Sequence, residues 1–156
     1  MLAGRPHRIL LQAINALEME DIDVFSRSRI IETAPLGPSQ RRYANAAALI
    51  ATALEPVALL ERLGCIERHF GRKSSGQRWR ARPLDLDIIL WSGGVWESAA
   101  PDLAIPHPAF RDRAFVLAPA VEIAADLRDP LSGLTLRQLF HRLNRPKPLD
   151  RPRAPH

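Results

Sequence analysis

The chain has 156 residues, enough for one domain of ordinary size, with 46% hydrophobic and 25% charged residues. A single cysteine, Cys65, excludes a disulfide-stapled scaffold and fits a reducing compartment, here read as the cytoplasm. No apolar run approaches the roughly 20 residues of a membrane span, and a net charge of +5 suits a small or polymeric anion as partner.

In chain order, Arg5 to Glu18 is predicted as a helix, because Leu10, Ala13, Ile14 and Leu17 recur at 3–4 spacing and Pro6 sits in the first turn. Gln12 and Asn15 interrupt its apolar side, which argues against a signal peptide. Ile22 to Thr33 is rich in β-formers and is predicted as one strand. Two prolines and a glycine make Ala34 to Gln40 a loop. Asn45 to Ala53 is read as a strand despite its alanines.

Pro56 to Phe70 is predicted as a helix with Leu59, Leu63, Ile66 and Phe70 on one face and Gly71 as its stop. Arg72 to Gln77 is a polar, mobile loop. The following strand is expected to end at Ser92-Gly93-Gly94, and Leu103 to Pro108 to be extended. Arg113 to Ala124 reads as helix broken at Pro119. Thr135 to Leu143 is a last helix, opened by a capping box of Thr135 and Gln138. Residues 1–145 are taken as one domain and 146–156 as a basic, Pro-rich, disordered tail.

The chemistry concentrates in Arg78-Trp79-Arg80-Ala81-Arg82-Pro83-Leu84-Asp85-Leu86-Asp87-Ile88-Ile89-Leu90. As a strand, its second half puts Asp85 and Asp87 on one side, about 6.6 Å apart at roughly 3.3 Å per residue. Two carboxylates so placed suit Mg²⁺, which takes its other ligands from water and phosphate. The neighbouring Arg78 and Arg82 carry forks that match phosphate. Acids for a hard cation beside arginines for phosphate point to phosphoryl transfer.

The stretch Arg78-Trp79-x-x-Arg82-x-Leu84-Asp85-Leu86-Asp87-Ile88 resembles the signature of 6-hydroxymethyl-7,8-dihydropterin pyrophosphokinase, a folate-pathway family. Thr33-Ala34-Pro35-Leu36-Gly37-Pro38, Tyr43-x-Asn45-Ala46, Ile66-Glu67-x-x-x-Gly71-Arg72, Ile105-Pro106-His107-Pro108 and Arg113-x-Phe115-Val116-Leu117 resemble further segments of that family, in its order. The resemblance implies transfer of diphosphate from ATP to the pterin hydroxymethyl group with release of AMP. It also implies an α+β, ferredoxin-like split βαβ sandwich, with an antiparallel sheet, helices on one face and a C-terminal helical extension.

On this sequence, the resemblance implies that Asp85 and Asp87 hold two Mg²⁺ ions and that Arg82 and Arg113 steady the phosphate charge. Glu67, Arg72, Arg78, Trp79, Ile88 and His107 would surround the nucleotide. Tyr43 and Phe115 would sandwich the pterin, Asn45 would bond its edge, and Thr33 and Leu36 would contribute from the loop. A flat ring suits aromatic faces, and an Asn amide matches an edge of mixed donors and acceptors.

The family opens with a strand that is not found here before Arg5, so the expected sheet lacks its first strand and a start upstream of Met1 is anticipated. Ser74 and Arg80 depart from the family's usual Arg and Gly. Two other readings stand beside the kinase: a relative that binds nucleotide without turnover, and a basic RNA-binding module of the same fold. An aromatic content of 6% and the lack of an aromatic RNA-binding strand weigh against the latter. The expected partners are therefore two small molecules, with no nucleic acid and no membrane, acting on a monomer.

Overall fold

A computed structural model describes residues 5–19, 21–33, 43–73 and 83–146. The elements run α1 (Arg5–Glu18), β1 (Asp23–Arg27), β2 (Ile31–Thr33), β3 (Tyr43–Asn45), β4 (Ala48–Ala51) and α2 (Pro56–Lys73). They continue with β5 (Trp96–Ala99), β6 (Asp102–Ile105), a 3-10 turn (Phe110–Asp112), α3 (Ala114–Ala124) and α4 (Leu136–Leu143). The fold is α+β with antiparallel pairing, as the sequence implies, and its strands pair in twos: β1 with β4, β2 with β3, and β5 with β6. Among the described residues no helix is long and apolar enough to cross a membrane. The loop at 34–42, the polar stretch at 74–82 and the tail from 147 lie outside the described residues.

The apolar stripes of α1 and α2 close on each other because each helix alone would leave its stripe in water. Ala13 and Leu17 meet Leu59, Leu63, Ile66 and Phe70, with Ile22 and Leu84 completing a first core. Each such side chain, fully buried, contributes about 1.5–3 kcal/mol. A second core gathers Phe110, Leu117, Leu136 and Leu139. The segment 84–90 runs between the two. Leu84, Leu86 and Ile88 belong to the first core, and Ile89 and Leu90 pack on the second. Asp85 and Asp87 stay exposed between these apolar neighbours.

Several elements differ from the sequence reading. The predicted strand across 84–90 keeps its alternating burial but forms no ladder among the described residues. Its backbone bonds go elsewhere: Leu86 N donates to Glu67 Oε1 at 2.7 Å, and Ile89 O accepts from His107 N at 3.0 Å. A side-chain carboxylate has taken the place of a strand carbonyl. The predicted strand from Ile22 to Thr33 is split at buried Ser28. There the Ser28 hydroxyl accepts from Ala47 N at 2.8 Å, where a ladder would offer a carbonyl.

Gly71 does not stop α2, which runs to Lys73. Gly71 is not among the positive-φ residues, so it lacks the left-handed conformation of a C-terminal cap and is carried as a helical residue at about 1 kcal/mol against Ala. Pro119 does not break α3 either. Its ring is buried in place of an apolar side chain, and the carbonyl that loses a donor belongs to Phe115, whose residue is open to solvent. The hairpin of β5 and β6 was anticipated only in its second strand. At the turn before it, a Cβ on Gly93 would run into the Trp91 ring, so a larger residue there needs that ring to move.

The last helix matches the reading in full. Thr135 Oγ1 accepts from Gln138 N at 3.1 Å and Gln138 Oε1 accepts from Thr135 N at 2.9 Å. Just upstream, Asp129 is fully buried and accepts from Arg111 Nε and Nη2 at 2.6 and 2.8 Å. It also accepts from Ser132 Oγ at 2.6 Å and Leu131 N at 3.0 Å. The Arg111 hydrogen bonds hold this carboxyl well below the usual carboxylate range, against the opposing effect of burial, with Ser132 and Leu131 helping.

Two outcomes are expected. Asp129 has a folded-state pKa below the roughly 3.9 of an unfolded Asp, so the unfolded chain takes up the proton first. Its stabilisation is complete near neutral pH and drains away as pH falls from about 5 through the folded value. Thermal melts of Asp129→Asn should show a lower Tm at pH 7 and a flatter acid limb than the parent; parallel limbs would contradict this. Glu67→Ala removes a charged hydrogen bond of about 1.5–3 kcal/mol. Hydrogen exchange at the Leu86 amide should then quicken by about tenfold or more, and an unchanged rate would show that Glu67 does not secure the segment.

Candidate active site

The candidate site is assembled around the segment 84–90. Alternation places Asp85 and Asp87 on its solvent side, while Leu84, Leu86 and Ile88 anchor the opposite side in the first core. Neither carboxylate has a hydrogen-bond or ion-pair partner among the described residues. Among the described residues no three His, Cys, Asp or Glu groups cluster as a ready-made metal cage. Two exposed carboxylates without other partners suit Mg²⁺, whose remaining ligands come from water and phosphate oxygens.

Glu67 reaches the segment from α2, where Leu63, Ile66 and Phe70 face the core and leave position 67 at its flank. Its Oε1 accepts from Leu86 N, the backbone group between the two Asp residues. The carboxylate expected beside the nucleotide thus also holds the backbone between the two Asp residues.

His107 is tied to the same segment from the other side by its backbone N–H on Ile89 O. Its Nδ1 accepts from Ala109 N at 3.2 Å, so in the neutral ring Nε2 carries the proton and is a donor. The chain then passes through the 3-10 turn to Arg113, which precedes α3 with extended φ and ψ of −115° and 100°. Arg113 makes no side-chain cap to the helix. Its guanidinium lies over the Phe115 ring at 5.7 Å from the centroid, as a cation–π pair. The charge expected on phosphate and the ring expected on the pterin are therefore neighbours.

The third group comes from β2 and β3. Thr33 pairs with Tyr43 and Ile31 with Asn45. The Thr33 hydroxyl donates to Tyr43 O at 3.3 Å, which ties the end of the pair together. α3 packs against β3, which brings the element of Phe115 to the element of Tyr43 and Asn45. Tyr43 and Phe115 are 53% and 48% exposed, far more than core aromatics. The Glu122 carboxylate of α3 accepts from Arg29 N and Nε at 3.0 and 3.3 Å and joins α3 to the bend between β1 and β2.

The structure thus brings Glu67, Asp85, Asp87, Ile88 and His107 onto one bonded frame, with Arg113 directly after the 3-10 turn and Phe115 two residues further on. Thr33, Tyr43 and Asn45 join through β3 and α3. Leu36, Arg78, Trp79, Arg82 and the side chain of Arg72 lie outside the described residues. Sequence reading overlooked Arg111 and Asp129. Asp129-Pro130-x-Ser132-Gly133 carries the signature of a turn whose Asp accepts a backbone N–H two residues on. Nothing in the sequence pairs that Asp with an arginine 18 positions upstream.

Comparison with known proteins places the chain in a family. The family model for 7,8-dihydro-6-hydroxymethylpterin-pyrophosphokinase matches residues 3–125. The chain is 38% identical over 134 residues to the 2-amino-4-hydroxy-6-hydroxymethyldihydropteridine pyrophosphokinase of Synechocystis, covering 86% of this chain and 65% of that protein. It is 39% identical over 125 residues to the Haemophilus influenzae protein of the same name, covering 80% and 75% respectively. Against the folic acid synthesis protein fol1 of Pneumocystis carinii it is 32% identical over 141 residues, 90% of this chain but 19% of that one. The chain therefore spans less than two thirds of the Synechocystis and Pneumocystis relatives. With 37–40% identity to several bacterial and plant proteins and the match running through β1 to α3, the chain belongs to the 7,8-dihydro-6-hydroxymethylpterin-pyrophosphokinase family.

Proposed function

We propose that this chain transfers diphosphate from ATP to 6-hydroxymethyl-7,8-dihydropterin and releases AMP, a step of folate biosynthesis. The observation that carries the reading is the bonded frame joining the Asp85–Asp87 segment through Ile89 and His107 to Arg113 and Phe115. Metal-directed acids, a phosphate-directed guanidinium and an open aromatic face are thereby held next to one another. Such a reaction needs chiefly positioning and charge neutralisation, and no general base is assigned.

Asp85 and Asp87 would hold two Mg²⁺ ions, which when bound neutralise and orient the triphosphate oxygens. Arg113, whose guanidinium rests on the Phe115 ring, offers its N–H groups to the transferred phosphate. Arg82 would act with it, and His107 Nε2–H would donate to a phosphate oxygen near the leaving AMP. Arg72, Arg78, Trp79 and Ile88 would frame the nucleotide with Glu67, whose bond to Leu86 N also holds the acids in place. Tyr43 and Phe115 would stack on the pterin, with Asn45 on its edge and Thr33 and Leu36 alongside. All these groups come from one chain, which supports action as a monomer on two small molecules without nucleic acid or membrane. The exposed free thiol of Cys65 supports a cytoplasmic setting. Family membership weighs against the RNA-binding alternative.

One observation favours a second reading, binding without turnover. The acid-bearing segment has no β-ladder and relies on Glu67 and His107 for its placement. The test is release of AMP from ATP, followed by ³¹P NMR, with and without the pterin. Pterin-dependent AMP release is expected, and its absence with intact nucleotide binding would establish the second reading. Asp85→Ala or Asp87→Ala should lower kcat by on the order of 10²–10³-fold or more, as should chelation of Mg²⁺. The melting temperature should hold or rise, since two like charges on one face are relieved. Transfer surviving in both variants would remove the metal role.

A further inference from the structure

We propose that Asp129 is a positioning residue for the reaction: by gripping Arg111 it fixes the 3-10 turn and so sets where Arg113 presents its guanidinium. This rests on the proposed role of Arg113.

The turn has little to hold it by itself. It is three residues long, and neither Ala109 nor Arg113 caps it with a side chain. Its backbone bonds, Phe110 N to His107 O, Asp112 N to Ala109 O and Arg113 N to Phe110 O, are all 3.3 Å. That is beyond the usual 2.7–3.2 Å range for N–H···O. Short helices of this kind have poor hydrogen-bond geometry in general. The two bonds from Arg111 to Asp129, at 2.6 and 2.8 Å, are the short ones in this region, and they form a bidentate, charge-assisted fork.

The other end of the fork is anchored. Asp129 is fully buried and also accepts from Leu131 N and Ser132 Oγ. Its own backbone N donates to Leu134 O and its O accepts from Gly133 N, both at 2.8 Å. The residues leading into and out of the turn at 129–133 are bonded to each other as well, through the Arg128–Thr135 bridge and Leu136 N on Leu127 O, which carries the turn to the first residue of α4. On the Arg111 side, the guanidinium also lies over the buried Phe110 ring at 4.7 Å. Displacement of Arg111 is therefore opposed from both directions.

What the fork holds is the link between His107 and Arg113. Arg113 N is bonded to the turn, and Arg113 O accepts from Val116 N and Leu117 N to start α3. A shift of the turn moves Arg113 at both its backbone groups. The pair also settles which of two neighbouring arginines meets an anion. Arg111 is neutralised by Asp129, and Arg113 keeps its charge for a substrate.

The test compares Asp129→Asn and Arg111→Lys with Asp126→Asn. Asp126 is an exposed carboxylate three residues away, paired only with exposed Arg137 among the described residues. The Asn amide turns an N–H toward the arginine donors, and Lys keeps the charge but not the fork. Assays run well below each melting temperature should show kcat lowered about tenfold or more by the first two substitutions, with KM for ATP within about threefold. Asp126→Asn should match the parent. On an Arg113→Ala background, Asp129→Asn should cause no further loss of kcat, because its effect acts through Arg113.

A folded Asp129→Asn with full kcat would overturn the proposal, as would a loss that multiplies independently on the Arg113→Ala background. Should Asp129→Asn not fold, Arg111→Lys carries the same comparison at a site 27% exposed. If the parent itself releases no AMP, the functional reading has failed, and positioning is then read by NMR. Shifted His107 amide and Arg113 guanidinium resonances in Asp129→Asn, but not in Asp126→Asn, would support it, and unshifted ones would overturn it.

Discussion

The segment at 84–90 has to be apolar on one side and anionic on the other while lying between two cores, and much of the structure answers that constraint. Leu84, Leu86 and Ile88 join α1 and α2, and Ile89 and Leu90 join the core of α3 and α4. Burial of these side chains stabilises the position of the segment. It leaves the backbone groups to find partners, because an unbonded N–H costs about 1–3 kcal/mol when water is excluded. Glu67 meets that need at Leu86 and His107 meets it at Ile89. Both partners are residues expected beside the nucleotide, so support of the segment and construction of the site are one arrangement.

The charges divide by the same logic. Asp129 is buried, fully hydrogen-bonded and committed to Arg111. Asp85 and Asp87 are exposed and uncommitted among the described residues. A buried carboxylate must be satisfied within the protein, whereas exposed carboxylates are hydrated and keep their oxygens open. Arg111 and Arg113 repeat the contrast two positions apart: one is spent on structure, and the other rests on an aromatic ring.

Two devices connect the α3 side of the molecule to the strands. The Glu122–Arg29 contact joins α3 to the bend after β1, and the packing of α3 on β3 brings Phe115 toward Tyr43. Exposed pairs of this kind contribute little stability. Their value here is geometric, since they keep the spacing of α3 and β3, the elements that carry Phe115 and Tyr43. The Ser28 hydroxyl serves the same purpose at the bend, because it redirects the chain from β1 to β2 without leaving Ala47 N unbonded.

What the sequence determined by itself was local. The stripe of α1, the Leu59–Leu63–Ile66–Phe70 face of α2 and the capping box of α4 were legible because each depends on spacing within one element. So was the outward pair Asp85 and Asp87, and the order of motifs identified the family. Tertiary structure decided what spacing cannot express. Segment 84–90 makes no ladder because its hydrogen bonds go to Glu67, 19 residues away, and to His107. α3 passes through Pro119 because its ring is buried and the affected carbonyl lies on the open side. Arg111 and Asp129 were overlooked because a salt bridge carries no periodic signal. Partners distant along the chain compete for the same donors and acceptors, and only the folded chain determines which of them arrives within 3 Å.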